Sequence, residues 1–219
     1  MSLLKVLVTL LAFTWTFEAE AQGTRVVDGD TLEIEGISYR LHGIDAPEHG
    51  QECNKKSGGT WACGKQATKF VMLLVKGKTV LCENKGTDAY NRIIAVCMAG
   101  DIDINSELVT AGLAWAYTKY SYDYVSEEQT ARNANLGVWQ ATTQTPWDYR
   151  KSRWNAAEQK APEGCPIKGN ISRSGKKIYH PPWSPWYSKT KISVAKGERW
   201  FCTEEEAKAA GWRTAIFGN

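Results

Sequence analysis

Apolar and polar positions alternate in two short runs, Thr31 to Ile34 and Ile37 to Leu41, on either side of Glu35-Gly36. Alternation broken by a turn-forming pair predicts a β-hairpin. Past Cys63 the period changes. Ala67, Phe70, Val71, Leu74 and Val75 recur at helical spacing, so Gly64 to Val75 is predicted to be a helix that Gly77 stops. Val80 to Glu83 and Arg92 to Met98 predict a second hairpin, connected through Gly86 to Asn91. Two more short helices are predicted, Ile104 to Ala111 before Gly112 and Glu127 to Leu136 before Gly137. Gly112 to Tyr117 is a short strand between them, and Trp139 is placed to plug the core. Strands first, with helices interspersed and afterwards, predict a small β-barrel capped by three helices.

The pattern weakens at both ends. Lys5, the apolar run Val6 to Phe13 and Ala19-Glu20-Ala21 read as a cleaved signal peptide over residues 1–21, with the mature chain starting at Gln22. The run is too short to span a bilayer, and no later segment is long and apolar enough, so no stable membrane insertion is expected. Residues 151–164 are polar and aperiodic and read as a linker between a domain at 22–150 and a small unit at 165–219. In that unit Thr203 and Glu206 have capping-box spacing and predict a last helix.

Charge separates the two parts. Residues 156–219 hold 11 Lys/Arg against 6 Asp/Glu, whereas residues 22–155 hold 15 against 16. Trp183, Trp186, Tyr187, Trp200 and Phe201 interleave with the bases of the small unit, a composition suited to tethering a polyanion. The six cysteines form sequence-local couples, Cys53/Cys63, Cys82/Cys97 and Cys165/Cys202, among about fifteen possible connectivities. The second hairpin would bring Cys82 and Cys97 together. A structural zinc site is disfavoured, because no C-x-x-C occurs.

The chemistry concentrates at the ends of the first hairpin. Asp28 and Asp30 precede it and Asp45 and Glu48 follow it, so an antiparallel return would gather them beside Arg40. Clustered carboxylates suit a hard divalent cation. The strings V-D-G-D-T, R-L-H-G-I-D-A-P-E and T-D-A-Y-N-R resemble, in order, the thermonuclease (staphylococcal nuclease-like) family over about residues 25–139. That resemblance implies a five-stranded OB-type barrel and a monomeric, calcium-dependent endonuclease acting on DNA and RNA, exported to the periplasm or beyond the cell.

It also implies roles. Asp30, Asp45 and the Ala46 carbonyl would ligate Ca2+, with Asp28 behind them. Arg40 and Arg92 would hold the phosphate, Glu48 would act on the attacking water, and Tyr90 and Tyr117 would flank the nucleotide. Two departures stand out: Asn91 occupies a position where glycine is common, and the loop from His49 to Cys63 is long. His42 reads as a packed residue, His49 as a solvent-facing loop residue and His180 as structural. The rival reading is a non-catalytic OB-type module that binds nucleic acid or an anionic polysaccharide.

Overall fold

The computed structural model describes residues 23–215, so the segment read as a signal lies outside them. Strand β1 is Thr24–Val26, β2 Thr31–Ile34 and β3 Ile37–Leu41. The Glu35-Gly36 turn forms as the alternation predicts: both residues take positive φ, 52° and 81°, and Ile34 lies opposite Ile37. Short pieces β4 (Ile44–Asp45), β5 (Cys53–Asn54) and β6 (Thr60–Trp61) lead to helix α1 (Cys63–Val75). The second hairpin is β7 (Val80–Thr87) and β8 (Ile93–Ala99), followed by β9 (Ile102–Asp103). Then come α2 (Ile104–Thr110), β10 (Trp115–Ala116) and α3 (Val125–Asn133).

The strand order β1-β2-β3-β8-β7 makes the curled sheet of a five-stranded OB-type barrel. In this sheet β3 and β8 run parallel, with Arg40 beside Ile94 and Leu41 beside Ala95. Leu32, Leu41, Val71, Ile104 and Leu108 fill the interior at 0–1% exposure. Each such side chain contributes roughly 1.5–3 kcal/mol through its removal from water. Helices α1, α2 and α3 cap this core. Asn105, wholly buried on α2, accepts from the Cys97 amide and donates to the carbonyls of His42 and Ala95, so its burial leaves no unmet polar group.

The long loop after His49 is held by the Cys53–Cys63 disulfide, Cα–Cα 5.6 Å. That bridge sits in a satellite cluster with Trp115 and Val138, against which Trp61, Trp139 and Trp147 pack. Trp139 therefore closes this side cluster and not the barrel interior. Cys82–Cys97 staples the second hairpin and Cys165–Cys202 the small unit, and no described cysteine is free.

The expected linker is the main correction. Residues 146–158 form helix α4 (Pro146–Glu158), begun by Thr145, whose hydroxyl accepts from the Asp148 amide. Beyond it, β11 (Ile167–Ile171), β12 (Lys177–His180), β13 (Arg199–Phe201), α5 (Glu204–Ala209) and β14 (Arg213–Thr214) build the small unit. Its sheet order is β13-β11-β12-β14. Ile167, Tyr179, Phe201, Ala207 and Trp212 form its core, and Trp154 of α4 packs against them. The Thr203 hydroxyl accepts from the Glu206 amide, as the capping spacing predicts. No helix among the described residues is long and apolar enough to cross a membrane.

Candidate active site

Two close approaches fix the loops that carry the carboxylates. Gly29 sits between Asp28 and Asp30, and a Cβ there would lie 2.8 Å from that of Ala46 and 3.0 Å from that of Ala67 on α1. A Cβ at Gly64, in the first turn of α1, would overlap the Glu48 carbonyl. Small residues at these points let α1 press both loops together.

The hairpin ends converge as expected. The Asp30 carboxylate accepts from Arg40 Nη1 and, at 2.8 Å, from the Ala46 amide. Arg40 Nη2 donates to Asp45 at 2.8 Å. Asp28 accepts from the Asp30 amide at 3.1 Å, which places it behind the pair. A second guanidinium, unforeseen in the sequence, completes the group. Arg150, on α4, donates to both oxygens of Asp45 (3.1 and 2.7 Å) and to Glu48 Oε1 (2.7 Å). It fell at the edge of the stretch read as linker. The Thr145-Pro146 start with Asp148 three residues on was the signal that a helix carries it.

Electrostatics follow from four carboxylates against two guanidiniums in a mostly buried setting. Burial pushes the Glu48 carboxyl up to about 8, although Arg150 opposes the shift. Burial also raises Asp30, again against the pull of Arg40. Desolvation works against the charge on both arginines, but their carboxylate partners outweigh it and hold them more firmly protonated.

The donor set bears on a metal ion. Among the described residues no three His, Cys, Asp or Glu side chains form a metal-holding group. Asp30 and Asp45 are, however, bridged by one guanidinium, their own donor atoms are carboxylate oxygens, and two carboxylates of the group remain in excess of the arginines. In donor chemistry and charge the residues fit one hard divalent cation that takes its other ligands from main-chain carbonyls and water.

Other predicted residues are placed differently. Arg92 stays on the second hairpin's connection, where its Nε donates to Asp88 Oδ2 at 2.7 Å. Among the described residues no hydrogen bond or ion pair joins it to Asp30, Arg40, Asp45 or Glu48. It precedes β8, and its charge acts on Lys208 and Tyr179 of the small unit. Asn91 accommodates the turn with φ of 59°. Tyr90 is exposed, with the Arg92 guanidinium 5.3 Å and the Lys208 ammonium 5.0 Å from its ring centroid. Tyr117 stacks on Trp147, centroids 5.4 Å apart, so one of its faces is covered. His42 meets Asp123 at 3.3 Å. His49, read as solvent-facing, is instead half-buried near the Thr68 hydroxyl at 3.3 Å, because α1 packs against its loop.

The small unit reaches this site. A recess is walled on one side by Asp28, Glu48 and His49 and on the other by Pro181, Trp183 and Ala215. Lys208 of α5 donates to the Tyr90 carbonyl at 3.0 Å.

Comparison with known proteins accords with this geometry. Residues 38–141 match the family model described as Staphylococcal nuclease homologue, and residues 148–214 match a second model described as ArfC. An uncharacterized endonuclease of Haemophilus influenzae is 36% identical over 149 residues, which cover 62% of this chain and 78% of that protein. The micrococcal nuclease of Shigella flexneri is 33% identical over 153 residues, 60% of this chain and 80% of its own. Succinoglycan biosynthesis protein ExoI of Rhizobium meliloti is 35% identical over 133 residues, 59% and 70%. The chain belongs to the staphylococcal nuclease homologue family. The matched stretch begins at Ser38, so Asp28 and Asp30 join the site through the hairpin geometry, and most of α4, Arg150 included, falls within the second match.

Proposed function

We propose that this chain is an exported endonuclease that hydrolyses phosphodiester bonds of DNA and RNA with little sequence preference and depends on calcium. The observation that carries the reading is the ion-pair series Asp30–Arg40–Asp45–Arg150–Glu48 at the mouth of an OB-type barrel. The three disulfides support an oxidising compartment, periplasmic or extracellular.

Hydrolysis of a phosphodiester requires charge neutralisation at phosphorus and an activated, positioned water. Arg40 spends Nη1 and Nη2 on Asp30 and Asp45, but a guanidinium has five N–H donors, so others remain for a phosphate oxygen. Arg92 would meet the same phosphate from the neighbouring strand. Glu48 would take the proton of the attacking water. Arg150 is a positioning residue that aims Glu48 and steadies Asp45. Asp30, Asp45 and the Ala46 carbonyl would hold calcium, which when bound supplies Lewis-acid neutralisation at the phosphate. Tyr90 would offer a ring face to a base, a sequence-tolerant contact.

The test is incubation of purified mature protein with single-stranded DNA and RNA, with calcium and with chelator. Cleavage of both with calcium and of neither with chelator is expected. Binding without cleavage would favour the non-catalytic module, and cleavage unaffected by chelator would remove the metal from the reading.

A further inference from the structure

A cleft of about 670 Å³ lies between β1 and the small unit. Arg25, Lys176, Lys189, Lys191 and Arg213 line it together with Trp186. No carboxylate among the described residues lines it. Arg25 is paired with Glu33 at the cleft edge. The other four cations are exposed and have no ion pair among the described residues. Like charges gathered in one concavity repel one another, and a polyanion relieves that repulsion while releasing its own counterions.

The wall that carries two of these lysines is irregular yet tightly held. Lys168 Nζ donates to the carbonyls of Tyr187 and Thr190, both at 2.8 Å. The Tyr187 hydroxyl donates to the Pro166 carbonyl at 2.6 Å. Glu198, 6% exposed, accepts from the amides of Ile171 and Ser193 and pins the other end. A solvated lysine loop needs no such framework, whereas a binding wall benefits from being ordered before the ligand arrives.

Position and chemistry identify the ligand. Ala215 borders both this cleft and the recess beside Glu48, while Arg25 and Val27 border one each. A chain lying in the cleft therefore leads to the recess. Trp186, 37% exposed, offers an indole surface within it. Stacking on that surface needs an unpaired base, so a single strand fits and a duplex does not.

We infer that the cleft lined by Lys176, Lys189, Lys191, Arg213 and Trp186 binds the backbone and a base of single-stranded nucleic acid and directs the strand toward the recess beside Glu48. The inference extends the hydrolase reading but does not need it, since a strand can be held without being cut.

The test uses the full mature protein and a labelled, hydrolysis-resistant phosphorothioate oligothymidylate of about twenty residues, titrated across a salt series. Lys189→Gln combined with Lys191→Gln is expected to weaken binding about tenfold near 0.1 M salt and to reduce the salt slope by about 1.4, the single-strand value for two contacts. Trp186→Ala should weaken binding with the slope unchanged, because stacking releases no counterions. Cleavage of a trinucleotide, too short to reach the cleft, should match that of the unsubstituted protein. Unchanged affinity and slope in the double lysine variant would overturn the inference. So would tighter binding of a duplex of equal length with the same loss on substitution. If no phosphodiester is cut by any form but the lysine variant still loses affinity, the cleft stands and the hydrolase reading falls.

Discussion

Arg150 donates to Glu48 at 2.7 Å across 102 residues of chain, from a helix that belongs as much to the small unit as to the barrel. One turn earlier Trp147 stacks on Tyr117, and one turn later Trp154 packs against the core of the small unit. Helix α4 thus joins three environments: aromatic cluster, charged site and second core. The arginine that steadies Glu48 is held in place by the packing of both units.

Replacing Arg150 with alanine should lower kcat by about 10²–10³-fold while KM for a short oligonucleotide changes little. Lysine should restore only part of the rate, because one ammonium cannot serve Asp45 and Glu48 in the planar manner of a guanidinium. Steady-state kinetics on folded variants decide it. A rise in KM with kcat unchanged would make Arg150 a substrate contact instead.

Arg40→Ala and Arg92→Ala should each slow cleavage by about 10²–10³-fold or more, since in the proposed mechanism each would neutralise charge developing on the phosphate. Arg40 is half-buried against two buried aspartates, so its loss also leaves uncompensated charge and should lower the unfolding midpoint. Arg92 pairs with Asp88 and lies over the Tyr90 ring on the hairpin connection, and its loss should leave that midpoint nearly unchanged. Rates and thermal scans on the same samples separate the two effects.

The parts of the fold that could be read from sequence are those governed by local periodicity. The first hairpin, α1 and the second hairpin each bury one face against one core, so their apolar positions repeat cleanly. The convergence of Asp30, Arg40 and Asp45 followed, because an antiparallel return brings its own ends together. Helix α4 escaped because it has no single buried face. Trp147, Arg150 and Trp154 serve different neighbours, and what remains looks polar and aperiodic. Arg150 was lost with it. His49 was misjudged for a related reason: only the tertiary approach of α1 to the Glu48 carbonyl, across Gly64, half-buries that loop.

His180 supplies a pH dependence of stability. Its ring is 6% exposed, hydrogen-bonded to Asn170 at 2.9 Å, and burial together with Lys168 lowers it from 6.5 to about 4. Between these values the unfolded chain binds a proton that the folded chain does not. Stability present above pH 6.5 is therefore lost as the pH falls toward 4, by up to roughly 3 kcal/mol. Denaturant titrations of native protein and His180→Gln should diverge in slope over that window, and parallel curves would refute the assignment.

Removing the Cys82–Cys97 bridge by paired serine substitution should cost on the order of 3 kcal/mol, as expected for a closed loop of 15 residues. The hairpin is paired along its length on both sides of the bridge, so the barrel should still form. Urea midpoints with unchanged far-ultraviolet dichroism would show this.

In the proposed mechanism Glu48 would act on the water while its neighbours hold the ion and the phosphate. Glu48→Gln keeps the shape and removes the base. Single-turnover cleavage of a short single-stranded DNA, measured beside its binding in calcium, addresses the claim most directly. A rate lower by about 10²–10⁴-fold with affinity close to native is expected. A near-native rate, or a loss of affinity that matches the loss of rate, would contradict it.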